Sequence, residues 1–454
     1  MSFTQQFLFD KSGKPFINIT GSFGMDYDPY DGNSLSLDSN DRIYKVANFR
    51  EDASPPFLPN NGWLGQYSEL GNLNWQRSIG ASNAQTYGDP NELMYDTALS
   101  PDEEYVYTTG YTTATYAKAV IFKYDKSGNL QWRKEWGDTS NKQENWACET
   151  DSSGNLYIVG GHHYIGTSNY HAYIVKLNSS GVIQWQKLLG TEIALFRDIA
   201  IDSSNNIYVG GTGGIPGDIF VAKYNTSGTL IWQKNISRGS NYYEACNAIA
   251  VDTSGDVYIA GFSNDNDSSS DHPYVLKLNS SGAFQWSRYF GNYVTDQSRV
   301  ESVTTDRFNN VYIVGMDKTN NSNRDVLIAK MNSSGTVQWK RSFGINGENL
   351  AGYSIKTDSK DNIVVGGDIY ITGSGGYGVR DYFLARLLSD GTKTGTYNLN
   401  GGSWVYQSTT LSDGSLTGWT VTNAGNSETN LSYSISNSSL SDASYTHSSA
   451  TIVI

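Results

Sequence analysis

Three histidines lie close together in the chain and are the first residues to consider for metal chemistry. His162 and His163 are adjacent, and His171 follows after a segment rich in Tyr, Gly and Ser. Imidazole is the commonest side-chain ligand for metals. Adjacent residues of a strand point to opposite faces of the sheet, however, so the pair is poorly arranged to hold one ion. We therefore expect no metal site here.

Carboxylates are the second source of possible chemistry. Residues 263–271 read SNDNDSSSD and offer oxygen ligands for calcium, but they lack the Gly and the final Glu of an EF-hand loop. We expect no cofactor, with calcium as the alternative. The acidic residues Asp218, Glu244, Glu301 and Glu348 are scattered. A glycosidase needs two carboxyl groups roughly 5 to 9 Å apart, and no spacing in the sequence identifies such a pair.

The residues that we predict to bind a ligand lie in variable segments rich in Tyr, Asn, Ser and Asp. Tyr combines a large apolar ring with a polar tip at low entropic cost, and the other three residue types add hydrogen bonds. This composition suits a carbohydrate or a polar protein surface. The predicted binding residues are His162, His163, Tyr164, Tyr170, Tyr242, Tyr243 and Tyr293.

Two recurring phrases separate these variable segments. The first contains an Asp, a polar turn, a Tyr and a Gly, as in DSSGNLYIVG (151–160) and DTSGDVYIAG (252–261). The second ends in Trp, as in SSGVIQW (179–185) and SSGAFQW (280–286). In both phrases β-branched or alternating apolar residues flank a short polar turn, which is typical of a β-hairpin.

Each unit of about 50 residues thus holds two hairpins, and a four-stranded unit with this period is typical of a propeller blade. Seven units fit the count, with eight as the alternative. The sequence predicts an all-β fold, a seven-bladed β-propeller of four-stranded antiparallel blades with a small C-terminal β extension. We expect the Trp of each unit to pack between blades, because a buried aromatic ring removes about 150–250 Å² from water.

The Asp-containing phrase resembles the bacterial SBBP-type β-propeller repeat, and the Trp-containing phrase is similar to the PQQ-like propeller repeats. The resemblance covers roughly residues 34–395. It implies the propeller fold and says little about activity, because one fold serves many functions.

Antiparallel pairing places both kinds of short turn at the same end of each blade. The longer, variable connections therefore meet at the opposite end, and loops on a rigid scaffold commonly carry binding residues. We predict that the functional surface is this loop-bearing face. The alternative is a site around the axis to which each blade contributes one residue.

The two ends of the chain differ from its repeats. The sequence divides into an N-terminal arm (1–33), the propeller (34–399) and a Ser/Thr-rich tail (400–454). Residues 7–20 read as a lone hairpin, which either closes the ring or forms an arm for a partner. The tail contains no Lys or Arg and alternates apolar with polar residues, which favours a β extension or an assembly segment.

Composition excludes some functional classes. A formal net charge of −13 without any basic run argues against nucleic-acid binding, because phosphates would be repelled. The first residues, MSFTQQFLFDKSGKPF, lack the basic and apolar regions of a Sec signal peptide. The sequence has no apolar run of about 18 residues, so it predicts no membrane-spanning helix. The cysteines, Cys148 and Cys246, are too few for a disulfide framework and fit buried strand positions.

The sequence therefore predicts a non-enzymatic binding or structural protein, most simply a bacteriophage tail or appendage component that is located in the virion. The predicted partners are other virion proteins, a second copy of the chain or a host surface glycan. Two alternatives stay open. One is a glycan-active or quinone-dependent propeller enzyme, and the other is a bacterial surface or periplasmic scaffold.

Overall fold

The fold is a ring of antiparallel β-sheets. The computed structural model describes residues 5–6, 16–23, 34–50, 60–79, 92–112, 117–137, 141–164, 170–189, 194–213, 217–239, 242–265, 271–290, 298–317, 323–345, 348–371, 379–392, 394–399 and 402–409, together with six short segments between 413 and 451. Their strands form seven sheets, which are the blades of a propeller. Among the described residues there is no helix long and apolar enough to cross a membrane.

Two strands, β1 (Gln5–Gln6) and β2 (Phe16–Phe23), precede the first blade in the chain. Blades 1 to 6 then each contain four consecutive strands that pair in chain order. Blade 1 consists of β3 (Leu35–Leu37), β4 (Ile43–Arg50), β5 (Asn60–Tyr67) and β6 (Leu73–Ile79). Blade 2 consists of β7 (Glu92–Leu99), β8 (Tyr105–Thr112), β9 (Ala119–Asp125) and β10 (Leu130–Trp136). Blade 3 consists of β11 (Asn141–Thr150), β12 (Leu156–Tyr164), β13 (Tyr170–Leu177) and β14 (Ile183–Leu189).

The next three blades repeat this arrangement. Blade 4 consists of β15 (Ala194–Ile201), β16 (Ile207–Gly213), β17 (Asp218–Tyr224) and β18 (Leu230–Ser237). Blade 5 consists of β19 (Tyr242–Val251), β20 (Val257–Asp265), β21 (Asp271–Leu278) and β22 (Phe284–Phe290). Blade 6 consists of β23 (Arg299–Thr305), β24 (Val311–Asp317), β25 (Asp325–Met331) and β26 (Val337–Ile345). The prediction of a seven-bladed propeller with four-stranded antiparallel blades is confirmed.

Blade 7 joins the two ends of the repeat region and closes the ring. Its first three strands are β27 (Asn349–Thr357), β28 (Ile363–Ile371) and β29 (Val379–Leu387). The N-terminal strand β2 pairs with β29 as the fourth strand, and β1 pairs with β2. Closure of this kind removes the open sheet edges that a linear array of blades would expose.

Polar contacts secure the seam between blades 7 and 1. The backbone N–H and the hydroxyl of Ser359 donate to the carboxylate of Asp41 at 2.7 and 2.9 Å. The guanidinium of the buried Arg386 donates to the carbonyl oxygens of Glu69 and Asp41. The inner strands are joined as well, because the N–H of Leu35 donates to Ser354 Oγ at 3.1 Å.

The tail adds one short strand to the outer edge of every blade, in the reverse of blade order. In blade 6, β31 (Gly402–Ser408) pairs with β26, and β30 (Gly395–Leu399) pairs with β31. The strands that follow are β32 (Asp413–Gly414) on blade 5, β33 (Thr420–Asn423) on blade 4, β34 (Glu428–Asn430) on blade 3, β35 (Ser436–Asn437) on blade 2, β36 (Asp442–Ser444) on blade 1 and β37 (Ala450–Thr451) on blade 7. The predicted C-terminal β extension is thus distributed over the whole ring and does not form one small sheet. Strands this short are not stable alone and depend on the blade edges.

The Asp of the first repeated phrase stabilises the turn that follows it by accepting hydrogen bonds from the turn's backbone. In blade 3, Asp151 Oδ1 accepts the N–H groups of Ser153 and Asn155 at 3.0 and 2.9 Å. Its Oδ2 accepts the hydroxyl of the buried Tyr157 at 3.0 Å. An Asp side chain that satisfies its own turn explains why this residue recurs in the phrase. The same Asp–Tyr contact recurs at Asp202–Tyr208, Asp252–Tyr258 and Asp306–Tyr312.

In blades 1 and 3 to 6, the Trp of the second phrase donates a hydrogen bond to the next blade. Trp286 Nε1 donates to the carbonyl oxygen of Ser333, in the turn of the following blade, at 3.1 Å. Gly335 in that turn has a φ of +78°, and a Cβ there would lie 2.7 Å from the Trp286 ring. The expected packing of Trp between blades is therefore confirmed. The same donor–carbonyl contact occurs at Trp75–Lys126, Trp185–Thr226, Trp232–Ser280 and Trp339–Ser389.

Candidate functional site at the propeller axis

One β-bulge occurs at the same place in the innermost strand of each of blades 2 to 7. A bulge removes one residue from the ladder and redirects its side chain. The six bulged residues all line a single cavity of about 310 Å³, which we call the axial site. They are Tyr95, Trp146, Arg197, Asn247, Glu301 and Tyr353.

A constant sequence spacing places these residues. Trp146 precedes the turn residue Asp151 by five positions, and Glu301 precedes Asp306 by five. The inner strands run toward the short Asp turns, and each bulge lies near the middle of its strand. The sequence therefore contained a signal for this ring, namely a position of fixed spacing at which the residue type varies. A ring of one residue per blade was compatible with the repeats, but the spacing alone did not indicate which residues form it.

One side of the axial site is aromatic. The Tyr95 and Tyr111 rings stack at 5.4 Å and 11°, and the Trp146 ring lies 4.5 Å from Tyr95. Tyr353 from blade 7 also lines the cavity. The Arg197 guanidinium lies 4.1 Å above the Trp146 ring, in a cation–π contact that fixes the border of the aromatic surface. The result is a platform with apolar faces and polar tips.

The other side of the axial site is polar and titratable. Asn247 Nδ2 donates to Glu301 Oε2 and to the carbonyl oxygen of Val300, both at 3.0 Å, and thereby orients the Glu301 carboxyl group. Burial raises the pKa of Glu301 to about 7, although Arg299 and Arg197 partly oppose this shift. A carboxyl group with this pKa both holds and releases a proton near neutral pH, which is what acid–base catalysis requires.

Two further carboxylates tie the inner strands together. Asp96 Oδ2 accepts the N–H of Cys148 in the next blade at 2.8 Å, and Ser34 donates to the other oxygen. Asp198 Oδ2 accepts the N–H of Ile249 in the next blade at 2.8 Å. Burial, with a contribution from the nearby charge of Asp96, raises the pKa of Asp198 to about 7. These contacts give both groups a structural role at the wall of the cavity.

Opposite charges also face each other across the cavity wall. Glu149 and Lys356 both line the cavity, together with the small residues Ala200 and Ala250. Burial raises the pKa of Glu149, and the attraction of Lys356 opposes that shift. In total, four carboxyl groups line the cavity against two basic groups. These are Asp96, Glu149, Asp198 and Glu301 against Arg197 and Lys356. Since burial raises the pKa of Asp198 and of Glu301 to about 7, these two carboxyl groups are only partly charged near neutral pH, and the lining holds no excess of positive charge for sulfate or phosphate.

The predicted binding residues of blade 3 form a separate cluster. His162 is buried and lies with its Nδ1 2.9 Å from Gln143 Nε2. The half-buried His163 stacks on Tyr170 at 4.3 Å and 7°, and Tyr164 ends β12. The described part of the cavity lining includes none of these residues.

The remaining predicted residues belong to blade 5. Tyr242 begins β19 with the Arg238 guanidinium 4.2 Å above its ring, and Tyr243 lies 6.0 Å from Phe262. Tyr293 lies outside the described residues. A ligand-binding role for the residues of blades 3 and 5 stays a prediction.

The candidate metal and acidic residues are spread over the blades. No group of three or more His, Cys, Asp or Glu side chains that suits a metal occurs in the described ranges. Positions 266–270 of the calcium candidate lie outside those ranges. Of the four scattered acidic residues, Glu301 lines the axial site, whereas Asp218, Glu244 and Glu348 do not. Glu244 is buried within blade 5, and burial raises its pKa to about 8.

Comparison with known proteins gives a repeat family and a fold. Residues 285–323, which run from the outer strand of blade 5 into blade 6, match the model of the SBBP beta-propeller repeat. An uncharacterized WD repeat-containing protein of Acanthamoeba polyphaga mimivirus is 27% identical over 195 residues. That match covers 33% of this chain and 14% of the length of the viral protein.

The solved structures that are similar to this chain are similar at low sequence identity. The polysaccharide lyase Uly1 is 10% identical with a TM-score of 0.50, and the match covers 83% of this chain and 99% of the lyase. NanB sialidase from Streptococcus pneumoniae is 11% identical with a TM-score of 0.39, and the match covers 81% of this chain and 71% of the sialidase. Identities of this size establish similarity of fold alone.

These comparisons correct the prediction that the protein is not an enzyme. That prediction rested on a repeat pattern without a catalytic signature, yet a propeller similar over 83% of the chain is a polysaccharide lyase. The sequence shows no spacing that identifies a carboxylate pair, and the axial ring takes one bulged residue from each of blades 2 to 7. The chain is a seven-bladed β-propeller that carries an SBBP beta-propeller repeat at residues 285–323.

Proposed function

We propose that the protein is a glycan-active β-propeller that binds a saccharide chain in the axial site, with Glu301 as its proton donor. The observation that carries this proposal is the division of one ring into two sides. The aromatic side presents Tyr95, Trp146 and Tyr353, and the polar side presents Arg197, Asn247 and Glu301. These six residues form the proposed binding site.

The two sides match the two kinds of surface that a sugar offers. A pyranose ring presents C–H faces that pack on aromatic rings, and hydroxyl groups that need several donors and acceptors. Binding sites for small molecules commonly combine an apolar or aromatic wall with a few fixed polar groups. Trp146 supplies the wall here, and the Asn247–Glu301 pair supplies fixed polar groups.

The proposed chemistry is general acid catalysis of glycosidic bond cleavage. Glu301 is protonated in a large share of molecules near neutral pH, because burial raises its pKa to about 7. As the glycosidic C–O bond breaks, the leaving oxygen takes the Glu301 proton and a water molecule forms the new C–O bond to the anomeric carbon. The proton that the water loses passes to solvent, and Glu301 regains a proton from solvent. A catalytic acid works best when its pKa lies near the working pH. The basic groups of the cavity, Arg197 and Lys356, lie among carboxyl groups and form no positive cluster, which favours a saccharide without sulfate or phosphate.

The test combines a binding assay with a cleavage assay on the full chain. Titration calorimetry against uncharged and sulfated oligosaccharides measures affinity, and the release of new chain ends measures cleavage. The variants are Trp146→Ala, which removes the wall, and Glu301→Gln, which keeps the shape and removes the proton. The matched control is Phe308→Ala, because Phe308 is an aromatic residue that is 66% exposed in a short turn, away from the axial site.

The expected results differ between the variants. Trp146→Ala weakens binding, since a lost stacking contact is worth about 1–3 kcal/mol. Glu301→Gln retains binding and lowers the cleavage rate by about 10²–10⁴-fold, the typical contribution of a catalytic acid. Phe308→Ala changes neither property. Uncharged saccharides that bind equally well to all four proteins, or that bind to none of them, contradict the proposal.

We propose a virus particle as the setting, where the axial site would act on a glycan of the host surface. One observation supports this setting, namely the resemblance of part of the chain to a mimivirus protein. Mass spectrometry of purified particles from the source organism tests the setting. Detection of the protein in particles supports it, and recovery of the protein only in particle-free fractions contradicts it. The axial site does not depend on this outcome.

A further inference from the structure

The tail makes a complete circuit of the propeller. Its short strands pair with the outer strand of each blade from blade 6 back to blade 1, and the last strand, β37, reaches blade 7. β37 pairs with β2, the N-terminal strand that closes the ring. The tail therefore covers both the six regular outer edges and the closing strand. We call the described strands β31 to β37 together the belt.

The belt keeps one register on successive blades. Equivalent positions of the outer strands pair with belt residues that are seven positions apart. The pairs are Lys234–Asn423, Lys187–Asn430, Lys134–Asn437, Arg77–Ser444 and Asn18–Thr451. On blade 6, Arg341 pairs with Ser408, and on blade 5, Tyr289 pairs with Gly414. The 15 positions between Ser408 and Asn423 span two blades and thus include one extra residue. From blade 4 through blades 3, 2 and 1 to blade 7, a seven-residue period in the tail matches one step around the ring.

The charges of the outer strands and of the belt are complementary. The six regular outer strands carry eight basic residues and one acidic residue, although the chain as a whole has a net charge of −13. Residues 400–454 contain no Lys or Arg and carry Asp413, Glu428 and Asp442. Opposite charges favour the encounter of the belt with the outer edges.

We propose that the outer rim of the propeller is one continuous strand-acceptor surface for the chain's own belt, and that the belt locks the ring in its closed form. An exposed outer strand offers a row of unpaired backbone groups to any extended segment. The belt occupies these groups in every blade, with a fixed register. It also holds β2, so the ring opens at blade 7 only after the belt has left. This inference is independent of the proposed function.

Engineered disulfides test the register. The pair Lys187→Cys with Asn430→Cys joins two directly opposed residues, whose Cα separation in an antiparallel ladder of about 4.5–5.5 Å suits a disulfide. The pair Lys187→Cys with Asn437→Cys is the matched control, because Asn437 is one period later and lies on blade 2. The native Cys148 and Cys246 are both buried and free.

The outcomes are distinguished on a non-reducing gel after mild oxidation. An intrachain disulfide in the Asn430 variant and none in the Asn437 variant support the proposal. Equal formation in both variants shows that the belt has no fixed register and overturns it. Disulfide-linked dimers of the Asn430 variant show that the belt belongs to a second copy, which overturns the assignment to the chain's own rim.

The unfolding rate tests the locking role. With a disulfide between Asn18→Cys and Thr451→Cys oxidised, β37 stays attached to the closing strand β2, and the ring is expected to unfold at least about tenfold more slowly than the reduced form. A crosslink that acts only on the unfolded chain changes the refolding rate instead. Equal unfolding rates of the oxidised and reduced forms would show that the belt does not lock the ring.

Discussion

The contact between a Gly of one blade and the Trp of the preceding blade permits a test with a matched control. Gly335 and Gly154 have φ angles of +78° and +79°. A Cβ on Gly335 would lie 2.7 Å from the Trp286 ring, whereas a Cβ on Gly154 would have its nearest neighbour, Pro101 Cγ, at 4.0 Å. The two substitutions to Ala therefore impose the same backbone strain and differ in the contact with Trp286.

The expected costs follow from these geometries. A side chain in the left-handed region costs about 1–2 kcal/mol, and this is the whole cost expected for Gly154→Ala. Gly335→Ala adds the displacement of the Trp286 ring, and overpacking of this kind costs about 1–3 kcal/mol. The free energy of unfolding should therefore fall by about 2–5 kcal/mol in Gly335→Ala, clearly more than in the control.

Urea denaturation that compares both midpoints and slopes measures the two costs. A double-mutant cycle then isolates the contact, because in a Trp286→Ala background the Gly335→Ala change should cost only the backbone strain. If Gly335→Ala and Gly154→Ala are equally destabilising, or if the cost of Gly335→Ala is the same without the Trp286 ring, the Gly–Trp contact does not hold neighbouring blades together.

Three further predictions follow from the turns, the axial site and the seam. Asn309 has a φ of 62°, and its side chain accepts a hydrogen bond from the Thr253 hydroxyl at 2.8 Å. Both Asn309→Ala and Asn309→Gly remove this bond, but only Ala keeps the backbone strain of a side chain at positive φ, so chemical denaturation should show about 1 kcal/mol less stability for Asn309→Ala than for Asn309→Gly. The pKa of Glu301 is about 7 in the folded chain, against an ordinary value of 4.5, so the folded state binds the proton more tightly and the free energy of unfolding falls as the pH rises from 4.5 to about 7. Denaturation curves at pH 5 and pH 8 measure this decline, and Glu301→Gln should remove the part of it that Glu301 causes. Tyr382→Phe removes the hydroxyl that donates to the Asn48 carbonyl oxygen across the seam and should lower the free energy of unfolding by about 1–2 kcal/mol, with a normal far-ultraviolet spectrum as the check on folding.

The repeats carried enough information to predict the blades. Asp151 holds a turn by its own hydrogen bonds, and Trp286 donates to the next blade through a local phrase, so residue type and spacing determine both contacts. The two sequence phrases therefore predicted the number of strands in each blade, the number of blades and the position of the Trp side chains.

The axial site and the belt were harder to predict for a physical reason. Glu301 and Trp146 come from different blades, and only closure of the ring brings the bulged residues of blades 2 to 7 together at the axis. The belt strands are two to seven residues long and take their register from the blade edges, so their seven-residue period, as between Asn430 and Asn437, has meaning only beside the ring. Local hydrophobic patterns report neither arrangement.

The most direct test of the central claim is a crystal structure of the protein with an uncharged oligosaccharide that binds in calorimetry. The account predicts density in the axial site, with a sugar ring packed on Trp146 and an oxygen of the saccharide within hydrogen-bond distance of Glu301. Density beside Tyr170 or Tyr242, with an empty axial site, would contradict the account and would instead support the residues that the sequence alone suggested.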